Sequence, residues 1–234
     1  TTGTDGASPA GRSDTAPLAT LAQAVTNAAD HDVIVFLSGH AQTRTGAQTL
    51  SKRLTLVGAG ASGGLPTVVF TNNQAAAGMF TISGADVQLR NIKIAGNSQS
   101  CSAARIAVSG AGFRMIGCYV ECGQHDDAVA LSLASGADRA EIKNTTFIST
   151  ATLTTAQPDS AISNSAALAC LRLDGLVVSN GTVGFSSVVP VDLSNAAITR
   201  LSADGSALVW STYLGASKSD FATCGQLLPD GSVL

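Results

Sequence analysis

Ser83-Gly84-Ala85, Ser109-Gly110-Ala111 and Ser135-Gly136-Ala137 stand 26 residues apart, from 83 to 109 and from 109 to 135. After each comes an alternating apolar run, then a small or amide residue, then a second run. The copies read Val87-Gln88-Leu89-Arg90-Asn91-Ile92-Lys93-Ile94 and Phe113-Arg114-Met115-Ile116-Gly117-Cys118-Tyr119-Val120. A third reads Ala140-Glu141-Ile142-Lys143-Asn144-Thr145-Thr146-Phe147, and a fainter fourth Leu171-Arg172-Leu173-Asp174-Gly175-Leu176-Val177-Val178. Self-similarity at a fixed period of this size is the mark of a repeat architecture. Alternation at period two makes each half-run a short strand with one face inward. The Asn91, Gly117, Asn144, Gly175 position is the bend between strands, because Asn and Gly tolerate the left-handed backbone such a corner uses.

Few folds accommodate strands this short at this spacing. Alternating strands and helices would need 10- to 15-residue helical patterns, and none follows residue 30. A sandwich would need hairpin signals, and Asn180-Gly181 is the only Asn-Gly instance. The reading is therefore all-β: a right-handed single-stranded parallel β-helix, each coil burying its inward residues on its neighbours. Outside the clear repeat, Val33–Leu37, Leu54–Val57, Val68–Phe70 and Met79–Ile82 read as further strands. Phe70, Phe80, Phe113 and Phe147 fall on core positions.

Three segments are expected. Residues 1–30 form an N-terminal arm and capping helix, with Thr15 as cap, Pro17 in the first turn, and Leu18, Leu21, Ala22 and Val25 apolar at helical spacing. Such a helix hides an open sheet end. Residues 31–193 form the β-helix. Residues 194–234, where the repeat fades, close the other end or contact a partner. They hold the only Trp, and Trp210, Tyr213 and Leu214 are the expected contact residues.

Composition narrows function. Hydrophobic residues are 45%, but charged residues only 12% against a usual ~25%. Disorder needs the opposite balance. The surface is built from Ser, Thr, Asn, Gln, Gly and Ala, which suits packing against other proteins or other copies. A net charge of -3 gives no reason to expect nucleic acid as a partner. No apolar stretch approaches the ~18 residues of a membrane span. Thr1 to Asp14 is polar and Gly-rich, so no signal peptide is expected within it. Five cysteines are an odd number and too sparse for a disulfide scaffold. They read as small buried thiols, with a Cys101–Cys122 bridge or an intersubunit bond as alternatives.

Candidate chemistry is thin. Gln124-His125-Asp126-Asp127 resembles the paired-aspartate motif of polygalacturonase-type glycosidases, themselves β-helices. Asp126 and Asp127 would then be the acid and base of glycoside hydrolysis. The rest of that pattern (Asn-Thr-Asp, Gly-His-Gly, Arg-x-Lys) is absent, and a solvated corner loop explains the cluster more simply. Arg90 and Arg114 read as equivalent points on an outer face. His31, His40 and His125 are far apart and the cysteines lack ligand-pair spacing, so no metal and no cofactor is expected. Gly58-Ala59-Gly60 with Gly63-Gly64 reads as a corner, since no helix follows to complete a phosphate loop. Aromatic residues, at 4%, are few for a sugar-stacking groove.

Asp32-Val33-Ile34-Val35-Phe36-Leu37-Ser38-Gly39-His40-Ala41-Gln42-Thr43, followed by Leu54-Thr55-Leu56-Val57-Gly58-Ala59-Gly60, resembles a group of tailed-bacteriophage virion proteins. Their pattern is an Asp-initiated strand ending Pro-Gly-His-Ala-Glu-Thr, then a strand ending Gly-x-Gly; here Ser38 replaces the Pro and Gln42 the Glu. Residues 85–92, 137–147 and 191–198 continue the similarity. The resemblance implies a virion structural protein, specifically a non-catalytic capsid decoration (cement) protein. It would be made in the host cytoplasm, sit on the capsid surface as a homotrimer and bind the major capsid protein. The alternatives are a tailspike-like β-helix binding or cleaving a host surface glycan through Asp126 and Asp127, and a secreted β-helix adhesin.

Overall fold

The computed structural model describes residues 17–72, 78–95, 104–122, 129–149, 160–164, 168, 170–179, 185–187, 196–201 and 208–214. The chain is a parallel β-solenoid with one short helix near its start. Its strands stack into three six-stranded, wholly parallel sheets. The first sheet is Val33–Phe36, Thr55–Gly58, Gln88–Arg90, Arg114–Ile116, Glu141–Lys143 and Arg172–Asp174. The second is Ala41–Arg44, Val69–Asn72, Lys93–Ala95, Tyr119–Cys122, Thr146–Ser149 and Val177–Ser179. The third is Gln48–Leu50, Phe80–Ile82, Ile106–Val108, Val129–Leu133, Ser160–Asn164 and Phe185–Ser187. The chain visits the sheets in that order on every rung.

Register turns the sequence repeat into columns. Ile34, Leu56, Leu89, Met115, Ile142 and Leu173 stand in line on the first sheet. Phe70, Ile94, Val120 and Phe147 do so on the second. Phe80, Ile106, Leu131 and Ile162 do so on the third. All but Ile34 are buried, and together they make one continuous core. The expected core phenylalanines Phe70, Phe80, Phe113 and Phe147 are all within it. On the first sheet only the steps from 89 to 115 and from 115 to 142 keep close to the 26-residue period. The second rung is lengthened by a small antiparallel hairpin, Ala61–Ser62 with Leu65–Pro66, inside the Gly-rich corner.

Corners use the expected backbone. Asn91, Gly117, Asn144 and Gly175 all have positive φ, from 48° to 63°. The Asn91 amide nitrogen donates to the carbonyls of Gly58 and Gly60 on the rung before, at 2.8 and 2.9 Å. A second column of left-handed residues lies two positions ahead of first-sheet strands: His31, Asp86, Gly112, Arg139 and Cys170.

The helix is Leu21–Asn27, shorter and later than the sequence suggests. Thr20, not Thr15, is its cap: its extended backbone turns its hydroxyl back to accept from Gln23 N–H at 3.2 Å. Pro17 precedes the helix, and Thr15 lies outside the described residues. Leu21 and Val25 are buried, against the first rung. At its far end the Lys52 ammonium donates to the carbonyls of Val25, Thr26 and Ala28 (3.0, 3.2 and 2.6 Å), groups a helix terminus leaves unpaired. Beyond Phe185–Ser187 the strand direction reverses. Ala196–Leu201 pairs antiparallel with Leu208–Leu214, against the last strands of the first two sheets.

Candidate interaction faces

Each sheet turns a different chemistry outward. On the first, register aligns Gln88, Arg114, Glu141 and Arg172 in one column, and Val57, Arg90, Ile116, Lys143 and Asp174 in the next. Arg90 and Arg114 are therefore not equivalent points. Arg114 is level with Gln88, and Arg90 with Ile116, because the repeat is 26 residues and the two arginines are separated by 24. Glu141 lies between Arg114 (3.6 Å) and Arg172 (3.7 Å), and Asp174 between Lys143 (3.3 Å) and Arg172 (3.8 Å). The paired charges are partly solvated, and four cations (Arg90, Arg114, Lys143 and Arg172) face two carboxylates, so the columns keep a small positive excess that solvent screens.

The second sheet carries a tighter cluster. Lys93 Nζ is 2.6 Å from Glu121 and 5.2 Å from the centre of the Tyr119 ring. Burial, and then the Glu121 charge, raise the Tyr119 hydroxyl above its ordinary pKa, so it is a neutral donor at neutral pH.

The third sheet is different again. Its outward column is Thr49, Thr81, Ala107, Ser132 and Ser163, one from each of the first five rungs. The column carries no charge and no side chain larger than threonine. Elsewhere, at the start of the solenoid, Val33 and Val35 on the outermost first-sheet strand are each 59% exposed, with Leu37 and Leu65 also open to solvent.

The residues singled out from sequence fare unevenly. Asp126 and Asp127, with His125, lie outside the described residues, between the strands Tyr119–Cys122 and Val129–Leu133. Trp210, Tyr213 and Leu214 are in the final strand, where Trp210 pairs with Arg200, Tyr213 with Ala197 and Leu214 with Ala196. Their side chains lie outside what is described. Among the described residues no three His, Cys, Asp or Glu side chains converge as a metal site would require. Cys118 is buried as expected, its Sγ 3.4 Å from the Leu89 carbonyl oxygen, and burial raises its thiol to about 11. Cys170 is exposed, which departs from the expectation of buried thiols: it occupies a left-handed corner ahead of a strand. Cys101 and Cys224 are outside the described residues, as is the Cys122 side chain, so the alternative bridge is not placed.

Sequence reading passed over Arg105. It is fully buried at the entrance to Ile106–Val108, its N–H donating to the Val129 carbonyl at 3.0 Å and its carbonyl accepting from Met79 and Phe80 N–H. Its immediate neighbours, Ala103-Ala104 and Ile106-Ala107, give no hint of a buried charge.

Comparison with known proteins finds no matching family model, no matching curated protein and no matching solved structure.

Proposed function

We propose that the chain is a structural protein of a tailed-phage particle: a capsid decoration protein that binds and braces the head shell as a homotrimer, without catalysing a reaction. The observation that carries this reading is the third-sheet column of Thr49, Thr81, Ala107, Ser132 and Ser163. Small uncharged side chains on a regular parallel sheet let two protein surfaces approach closely with little desolvation cost, since hydroxyls trade water for partner hydrogen bonds. The first sheet, charged, partly ion-paired and partly solvated, suits a face left in solvent. The likeness of residues 32–60 to virion proteins supports the same direction. Separating purified particles into heads and tails and identifying their proteins by mass spectrometry tests it. The proposal expects this chain with the heads, in amounts comparable to the shell protein; its presence in tails alone overturns it.

A second reading, a glycan-binding or glycan-cleaving spike, is favoured by one observation. Tyr119 offers an aromatic surface beside Glu121 on the strand that leads toward Asp126 and Asp127. Replacing both aspartates by Asn separates the readings: a spike enzyme loses polysaccharide cleavage, whereas a decoration protein has none to lose and still binds heads.

A further inference from the structure

We infer that His40 is a proton-operated latch on the N-terminal cap, and that protonating it loosens the seat of the helix Leu21–Asn27 on the first rung. The inference is independent of the virion reading. The His40 ring is wedged between two phenylalanines, its centre 5.4 Å from that of Phe36 and 5.7 Å from that of Phe70. Nε2 is shut off from water and makes no hydrogen bond. A neutral imidazole tolerates this, because an idle acceptor lone pair is the only loss. An imidazolium must place a second N–H, and a delocalised positive charge, in the same apolar slot.

The ring is tied to the helix through one side chain. Gln42, two residues on, in the strand Ala41–Arg44, hydrogen-bonds His40. Its Oε1 also accepts the N–H of Leu21, the first helical residue, at 3.0 Å. That bond satisfies one of the donors a helix start leaves open. Any shift of the ring to bring Nε2 to water therefore pulls on the amide that holds the helix.

Facing the His40 ring are Phe36 from the first sheet, Phe70 from the next rung and Gln42 from the strand that His40 leads into. None is charged, and no charged group contributes to the ring's titration. Burial lowers its proton affinity below the ordinary 6.5. The unfolded chain thus binds the proton more readily than the folded one. Stability from the neutral ring is complete above 6.5 and drains away as pH falls below it. Lys52 grips the other end of the helix, so loosening is confined to its first turn and the adjoining strand.

Hydrogen exchange on the intact chain, corrected for intrinsic rates, tests the latch at about pH 7.5 and about pH 5.5, either side of the imidazole range. Amides of residues 21–25 should lose protection by about five-fold or more at the lower pH, as local opening becomes cheaper. His40→Asn, which keeps a side-chain donor for Gln42 but cannot titrate, should remove that loss. His31→Asn serves as control: His31 is exposed with a left-handed backbone that Asn tolerates, and its replacement should leave the loss intact. Equal protection at the two pH values, or an undiminished loss in His40→Asn, overturns the inference. So does a His40 ring resonance in the unaltered chain whose titration does not track the loosening, a readout that needs no variant.

Discussion

Gly110 and Gly117 sit on the same rung and answer to different constraints. A Cβ on Gly110 would run into the Gly84 carbonyl of the rung beneath, whereas one on Gly117 would meet nothing. Gly117 is instead held by its positive φ of +63°, in the left-handed region that Asn91 (+51°) and Asn144 (+48°) also adopt in the same column. Gly110→Ala should therefore cost about 2–3 kcal/mol, because backbone cannot move aside as a side chain does. Gly117→Asn should cost no more than about 1 kcal/mol. Denaturant midpoints of the two variants check the contrast, and equal losses would refute it. Cys118 makes a second residue-scale prediction. With its thiol raised to about 11, it stays protonated throughout the neutral range. An alkylating reagent at about pH 8, near the free-thiol range, should label Cys170 in the folded chain and reach Cys118 only after unfolding, as peptide mapping will show.

At the scale of elements, the repeat was legible wherever corners are marked by Asn or Gly. The strands Gln88–Arg90, Arg114–Ile116 and Glu141–Lys143 and their second-sheet partners follow directly from the alternation. Ala41–Arg44 and Gln48–Leu50 were not legible. Their inward residues include Gln42 and Gln48, which have a neighbouring rung on one side only (Phe70 and Phe80), so the apolar signal vanishes where the stack ends. The left-handed column His31, Asp86, Arg139, Cys170 was equally silent: those side chains do not announce a backbone that the neighbouring rungs impose on them. As for sites, the sequence drew attention to Asp126, Asp127 and Trp210, while the outward faces became visible only once register had aligned the rungs. Two predictions belong here. Lys52→Met removes the donor that ties down three helix-end carbonyls, and should lower stability by about 1–2 kcal/mol. Glu141→Gln breaks contacts to two half-solvated arginines and should cost under about 1 kcal/mol, shrinking further at high salt. A larger, salt-independent loss would mean that the first-sheet charges hold the stack together, which their exposure argues against.

For the whole molecule, stability and function draw on separate surfaces. The core columns bury about 1.5–3 kcal/mol per large apolar side chain against the entropy of ordering each rung. The outer columns are left free to differ from sheet to sheet. One is charged and partly ion-paired, one carries the Lys93–Glu121–Tyr119 cluster, and one is small and uncharged. If the third sheet is the packing face, Ser132→Arg should leave the fold intact, since Ser132 points away from the core, yet weaken assembly. Sedimentation should then show single chains where the unaltered protein gives trimers; trimers in both would move the interface elsewhere. The most direct measurement of the central claim is a cryo-electron microscopy reconstruction of intact particles that carry this chain. The account predicts three-sided columns of solenoid density on the outside of the icosahedral shell, each fitting three copies with their third sheets turned inward. A bare shell, with the same density found only on the tail, would contradict it.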